Sequence, residues 1–134
     1  MPIWVSAQIV QSDGFSDGNF TSLLSWSGDD SLFEVDLNLE LHLNDNISRE
    51  AYLSTPSTII KNASWEFYTR MEFNPSSSNY CKVYLVSDQA DLNNNLNGYY
   101  VRLGGSSADR ISLYKQTGNS SSLIVETTDD WLDV

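Results

Sequence analysis

The chain reads as an all-β protein, a sandwich or jelly roll of short strands. Helical periodicity is nearly absent along its 134 residues, short runs of alternating apolar and polar residues recur throughout, and Gly, Asn, Asp and Ser bound those runs. With 40% hydrophobic residues the chain has material for one domain with a real core.

Nine strands are expected in order. Phe20 to Trp26 follows the turn-rich DGFSDGN (Asp13 to Asn19). Phe33 to Val35 and Leu39 to Leu43 lie in FEVDLNLELHL, where Val35, Leu37, Leu39 and Leu41 alternate with Glu34, Asp36, Asn38 and Glu40. Ala51 to Ser54 comes next. In Trp65 to Phe73 the alternation places Trp65, Phe67, Met71 and Phe73, with Thr69, on one side and Glu66, Tyr68, Arg70 and Glu72 on the other. The loop NPSSSN (Asn74 to Asn79) leads to Tyr80 to Ser87, with Cys81, Val83 and Leu85 facing the core and Tyr80, Lys82 and Tyr84 opposite. DQADLNNNLNG (Asp88 to Gly98) precedes Gly98 to Gly104, which sets Tyr99, Val101 and Leu103 against Tyr100 and Arg102. After GGSSAD, the strand Arg110 to Gln116 turns Ile111 and Leu113 inward and Ser112, Tyr114 and Gln116 outward. TGNSS then leads to Ser122 to Glu126. The final TTDDWLDV stops where another strand would start, so the expected domain is truncated at its C-terminal end.

At the other end, MPIWVSAQIV places Ser6 and Ala7 after an apolar stretch, as at a secretory cleavage site. Residues 1–7 then read as the remnant of a signal peptide and 8–134 as a single β-sandwich domain; the alternative is an ordinary first strand, Ile3 to Val10. The Asn- and Ser-rich composition has an extracellular character, so a secreted or cell-surface location is expected. Four N-x-Ser/Thr sequons, at Asn19, Asn46, Asn62 and Asn119, are what such a composition produces by chance.

A net charge of −11 with only seven Lys and Arg argues against nucleic acid, which demands a basic footprint. No run of about 18 apolar residues exists, so no membrane insertion is expected. Cys81 stands alone and cannot form an internal disulfide; it reads as a small core residue.

If the later strands form successive antiparallel hairpins, one sheet face gathers Tyr68, Tyr80, Tyr84, Tyr100 and Tyr114 with Arg70, Lys82, Arg102, Glu66 and Glu72. Tyrosine offers a sugar a flat apolar ring and a hydroxyl, and Arg and Glu bond its hydroxyls. Tyr68, Arg70, Tyr84, Tyr100, Arg102 and Tyr114 are therefore the candidate ligand-binding residues, with a glycan or cell-surface ligand as partner. The competing reading is that these are ordinary cross-strand pairs on a solvated face.

The stretch Ser64 to Gly118, with FNPSSSNY, YLVSD and GYYVRLGG, resembles the concanavalin A-like, laminin G-like jelly-roll domains of large secreted or surface proteins of Bacteroidetes. DGFSDGNFTSLLSWSGDDSLFEV and LHLND extend the likeness to roughly Asp13 to Gly118. The resemblance implies a two-sheet antiparallel sandwich in a multidomain exported protein, with further domains in the same polypeptide and adhesion or glycan contact as its role. It also implies a hairpin with FEV and LELHL around a turn at Asp36 to Asn38. No functional motif carries over.

The acidic row Glu34, Asp36, Glu40 resembles the catalytic strand of some β-sandwich glycosidases, but Glu34 with Glu40 fails in one straight strand, and only Glu34 with Asp36, about 7 Å apart, would fit an inverting spacing. Six residues on a regular strand span about 20 Å, whereas retaining enzymes hold their carboxylates about 5 to 5.5 Å apart and inverting enzymes about 6.5 to 9.5 Å. Laminarinase-like enzymes place the third acid four or five residues after the first, where this chain has Asn38 and Leu39. His42, the only histidine, alternates with Leu41 and Leu43 as an exposed strand residue. No enzyme is expected, and no cofactor. The loops Asp13 to Asn19, Gly28 to Asp30 and Asp88 to Asn95 offer oxygens for one structural calcium, against plain turn chemistry. The expectation is a non-catalytic carbohydrate- or surface-ligand-binding adhesion module. A spacer domain without a ligand is the alternative, and a fragment of a β-sandwich glycoside hydrolase the remote one.

Overall fold

The computed structural model describes residues 9–106 and 109–129. The N-terminal remnant reading, the strand from Ile3 and the terminal DWLDV fall largely or wholly outside them. Among the described residues the chain is all-β, with antiparallel sheets and a single 3₁₀ turn at Asp30–Leu32. It divides into two compact units, Met1–Lys61 and Asn62–Val134.

The first unit contains two small ladders. β1 (Ser27–Gly28) pairs with β4 (Leu53–Ser54), and β2 (Phe33–Val35) pairs with β3 (Leu41–Leu43). The β2–β3 turn is built on Asp36, whose Oδ1 accepts the Asn38 and Glu40 amides, both at 2.9 Å, while Leu39 N–H donates to the Asp36 carbonyl. Leu39 has φ +62°, so the expected strand from Leu39 starts only at Leu41.

The expected strand Phe20 to Trp26 does not form. Asn19 Oδ1 accepts the amides of Thr21 and Ser22 (3.0 and 2.9 Å), Leu23 has φ +62°, and Trp26 N–H closes back on the Phe20 carbonyl. Local side-chain caps have captured the backbone that alternation assigned to a ladder.

The second unit is a four-stranded meander of β5 (Cys81–Ser87), β6 (Leu96–Leu103), β7 (Ile111–Gly118) and β8 (Ser120–Glu126), in that spatial order. Three hairpins suffice because each connector carries its own turn chemistry. Asp88 takes the Asn97 amide at 2.6 Å across the first loop, and the last hairpin needs only Gly118 and Asn119, with Gly118 at φ +60°. Two bulges interrupt the ladders. In β5, Leu85 is the inserted residue, so Val86 takes the position opposite Tyr99 that strict alternation gives to Leu85. In β8, Ile124 is inserted between the Leu113–Val125 and Tyr114–Leu123 pairs.

The expected strand Trp65 to Phe73 is absent. Its alternation is strong, yet no ladder partner takes it up among the described residues, and a strand without a ladder is not stable on propensity alone. Trp65, Phe67 and Phe73 remain more than 40% exposed.

Burial also runs opposite to expectation. Leu96, Gly98, Tyr100 and Ser112, all on the tyrosine side of the sheet, are buried. On the other side only Leu103 is, while Cys81, Val83, Val101, Ile111 and Leu113 are half-buried and Val125 is 59% exposed. There Val101, Ile111, Leu113 and Val125 line an open apolar groove of about 230 Å³.

Candidate aromatic and cationic sheet face

Three register rows build the tyrosine face of β5 to β8. Lys82, Arg102, Ser112 and Glu126 stand opposite one another in the first, and Tyr84, Tyr100, Tyr114 and Leu123 in the second. Ser87, Gly98, Gln116 and Ser121 form the third. Residues opposite each other in a ladder share a face, so the strand alternation places four of the six predicted side chains, Tyr84, Tyr100, Arg102 and Tyr114, together.

Within the tyrosine row the rings touch. Tyr100 and Tyr114 stack with centroids 5.2 Å apart at 11°, and Tyr84 lies tilted on the other side of Tyr100 at 5.1 Å. Flanked on both sides, Tyr100 is only 4% exposed, which corrects the expectation of an open tyrosine there. Its ring is the floor, and Tyr84 and Tyr114 are half-buried beside it. Tyr84 Oη donates to Gln116 Oε1 at 2.6 Å, a diagonal that passes Gly98 on the intervening strand. A Cβ at Gly98 would lie 2.3 Å from the Val86 carbonyl oxygen, so the backbone itself requires glycine there.

The cation row is held against the rings. The Arg102 guanidinium lies 4.8 Å from the Tyr114 centroid and 5.9 Å from that of Tyr80. Lys82 Nζ lies 5.5 Å from Tyr100 and 5.7 Å from Tyr80. Gly105, at φ +81°, leaves room for the Arg102 stem, since a Cβ there would come within 2.9 Å of Arg102 Cδ and Nε. Arg102 Nε is buried without a hydrogen-bond partner. The carboxylate of the row, Glu126, is engaged elsewhere: it accepts from Arg110 at 2.8 Å and from Ser112 Oγ at 3.5 Å.

Tyr68 and Arg70 are not part of this face, because the strand that was to carry them does not form. Tyr68 is 76% exposed, and Arg70 donates to Glu72 at 2.7 Å, within its own segment. Lys82, Tyr80 and Gln116 were legible by alternation, whereas the roles of Gly98 and Gly105 depend on close approach between strands and carry no signal in one sequence.

The acidic row is split as the hairpin expectation has it. Glu34 stands on β2 opposite His42, with His42 Nδ1 3.7 Å from Glu34 Oε1 and both side chains at least half exposed, while Asp36 serves the turn. Oxygens offered for calcium accept hydrogen bonds from the chain itself, some within turns and some from distant residues. Asp13 accepts from Phe15 N–H and Trp26 Nε1, both at 2.9 Å; Asp29 and Asp30 accept the Tyr52 and Gly28 amides; Asp91 accepts from Asn93 and Asn94. Among the described residues no three His, Cys, Asp or Glu side chains gather where they could hold a metal ion. Nor is any helix there long and apolar enough to cross a membrane.

Fold and face together define an all-β protein with an aromatic, cation-bearing sheet surface. No family model matches the chain, and no curated protein or solved structure shows significant similarity to it.

Proposed function

We propose that the chain is a non-catalytic, exported binding module of a larger surface protein, taking a carbohydrate or other cell-surface ligand on the tyrosine face. The supporting observation is the contiguous row Tyr84–Tyr100–Tyr114 bordered by Lys82 and Arg102. The half-buried rings of Tyr84 and Tyr114, held at fixed spacing by the covered Tyr100 and set beside hydrogen-bond donors, suit the C–H groups and hydroxyls of a sugar. In the same proposal the meander is one layer of a two-sheet, concanavalin A-like sandwich. Its apolar reverse side, with Val101, Ile111, Leu113 and Val125 incompletely covered, is what a second layer would bury.

A glycan-array screen, with and without calcium, tests this reading on wild type, Tyr84→Ala/Tyr114→Ala and Tyr68→Ala. Binding is expected for wild type, lost in the double variant and kept in Tyr68→Ala. One observation favours the spacer reading instead: Tyr100 is covered and the Tyr84 hydroxyl is already satisfied by Gln116, as in a face that packs on itself. Absence of binding to every glycan would make that the better account.

A further inference from the structure

Resting on the tyrosine face as a sugar surface, we infer that the sugar it takes is acidic, carrying a uronate carboxylate between Lys82 and Arg102. These two side chains are direct cross-strand neighbours on one face. Like charges opposite each other in a ladder repel, whereas a carboxylate opposite either cation would stabilise the pair. This chain has 18 acidic residues to draw on, yet among the described residues neither Lys82 nor Arg102 makes an ion pair. The acid on their row, Glu126, faces Arg110 instead.

The geometry around Arg102 is that of a held donor. Tyr114 and Tyr80 lie against the guanidinium and Gly105 makes space for its stem, while Nε is itself buried, so a ligand would meet the terminal nitrogens. A guanidinium so fixed loses little side-chain entropy on receiving a carboxylate, and Lys82 adds a second, mobile donor from the neighbouring strand. Tyr84 and Tyr114, half-buried on either side of the covered Tyr100, supply the apolar contact for the sugar ring. The chain's charge of −11 repels an anion at long range, so such binding must arise from contacts inside the Debye length, about 8 Å at physiological salt.

Titration calorimetry on the full chain tests this with oligogalacturonate, with neutral laminari-oligosaccharide and with dextran sulfate. The variants are Arg102→Met, Lys82→Met and Lys115→Met; Lys115 stands opposite Tyr99, on the other side of the sheet, and removes the same charge. The expected result is salt-sensitive binding of oligogalacturonate, weakened on the order of tenfold by Lys82→Met and by Arg102→Met and unchanged in Lys115→Met. Lys82 is exposed, so its variant reads out binding even where Arg102→Met disturbs the fold. Equal binding of the neutral sugar with no loss in the Lys82 and Arg102 variants would overturn the acidic ligand and leave the sugar-binding reading standing. Binding of dextran sulfate alone, or equal weakening by Lys115→Met, would reduce the face to a non-specific anion surface and overturn the inference. No binding of any sugar would overturn both.

Discussion

In the N-terminal unit no strand among the described residues exceeds three residues, whereas every strand of the C-terminal sheet has seven or eight. Both regions are rich in Asp, Asn and Ser, but they use these residues differently. Before residue 62 carboxylates and amides take backbone N–H groups one by one: Asp13 that of Phe15, Asn19 those of Thr21 and Ser22, Asp36 those of Asn38 and Glu40, Asp45 that of Ile47. After residue 80 the ladders take most of them, and side-chain acceptors of backbone N–H groups, such as Ser87, Asp88, Asp91 and Thr127, sit at strand ends and in loops. Backbone groups must be satisfied in either case. A ladder adds what a cap does not, rows of side chains aligned across strands, and among the described residues the rows that run across four strands are in the second unit.

The most severe way to break this comparison is to remove the centre of the tyrosine row. Tyr100→Ala takes away a ring that is 4% exposed and lies between two others, and truncation of a core aromatic costs about 3 to 5 kcal/mol. Leu23→Ala, in the other unit and at 95% exposure, is expected to change stability by less than about 0.5 kcal/mol. Urea denaturation followed by tyrosine fluorescence measures both. Similar midpoints for the two variants would mean that the tyrosine row is not the core of its sheet.

A smaller effect is expected where a cap does the holding. Asp36→Ala deletes the acceptor of two amides in the β2–β3 turn and one contact to the Asn38 side chain, a loss of about 1 to 2 kcal/mol. Hydrogen exchange should speed up at Asn38, Glu40 and the β2–β3 pairs and stay unchanged in β5 to β8. Asp36→Asn, which keeps a carbonyl acceptor, should recover part of the protection. Uniform loss of protection across both units would show that the hairpin and the sheet unfold together.

The same contrast explains what could be read in the sequence. The strands of the second unit were legible because consecutive hairpins joined by Gly and Asn turns leave only one pairing scheme, and the boundaries missed by no more than two residues, as at Leu96 and Gly118. Hence Tyr84, Tyr100, Arg102 and Tyr114 were correctly placed on one face. Trp65 to Phe73 shows the limit: its pattern is as regular as that of β5, but periodicity assigns faces and does not supply a partner strand, so Tyr68 and Arg70 were lost with it. Asn19 and Leu23 undid the strand at Phe20 by local hydrogen bonding and a left-handed residue, neither visible as periodicity. The inserted residues Leu85 and Ile124 shift register without any compositional mark. The burial of the tyrosine side was missed because polar rings that stack on one another look, by residue type alone, like a wet face.

The smallest expected effect sharpens the comparison at the point where a cap meets a ladder. Asp88 accepts the Asn97 amide at 2.6 Å and its side-chain amide at 2.7 Å, and these bonds hold its carboxyl below the ordinary aspartate value of 3.8. Asp17 is likewise lowered, chiefly by the Ser22 hydroxyl at 2.6 Å, but inside a turn of the first unit. A carboxyl whose folded pKa is depressed stabilises the fold above its unfolded pKa, and that contribution is lost as pH falls through the folded value. Both groups should therefore lose their contribution only below the usual carboxylate range. Their readouts should differ. Asp88 N–H also donates to the Asn97 carbonyl, the next rung beyond the Ser87–Gly98 pair, so its protonation should loosen the loop end of the β5–β6 hairpin. Asp17 touches no strand and should report only on Asn19 and Ser22. Amide shifts followed through an acid titration, in wild type and Asp88→Asn, measure this: the acid-induced change at Ser87, Asn97 and Gly98 should vanish in the variant, and persistence there would assign that loosening to another carboxylate.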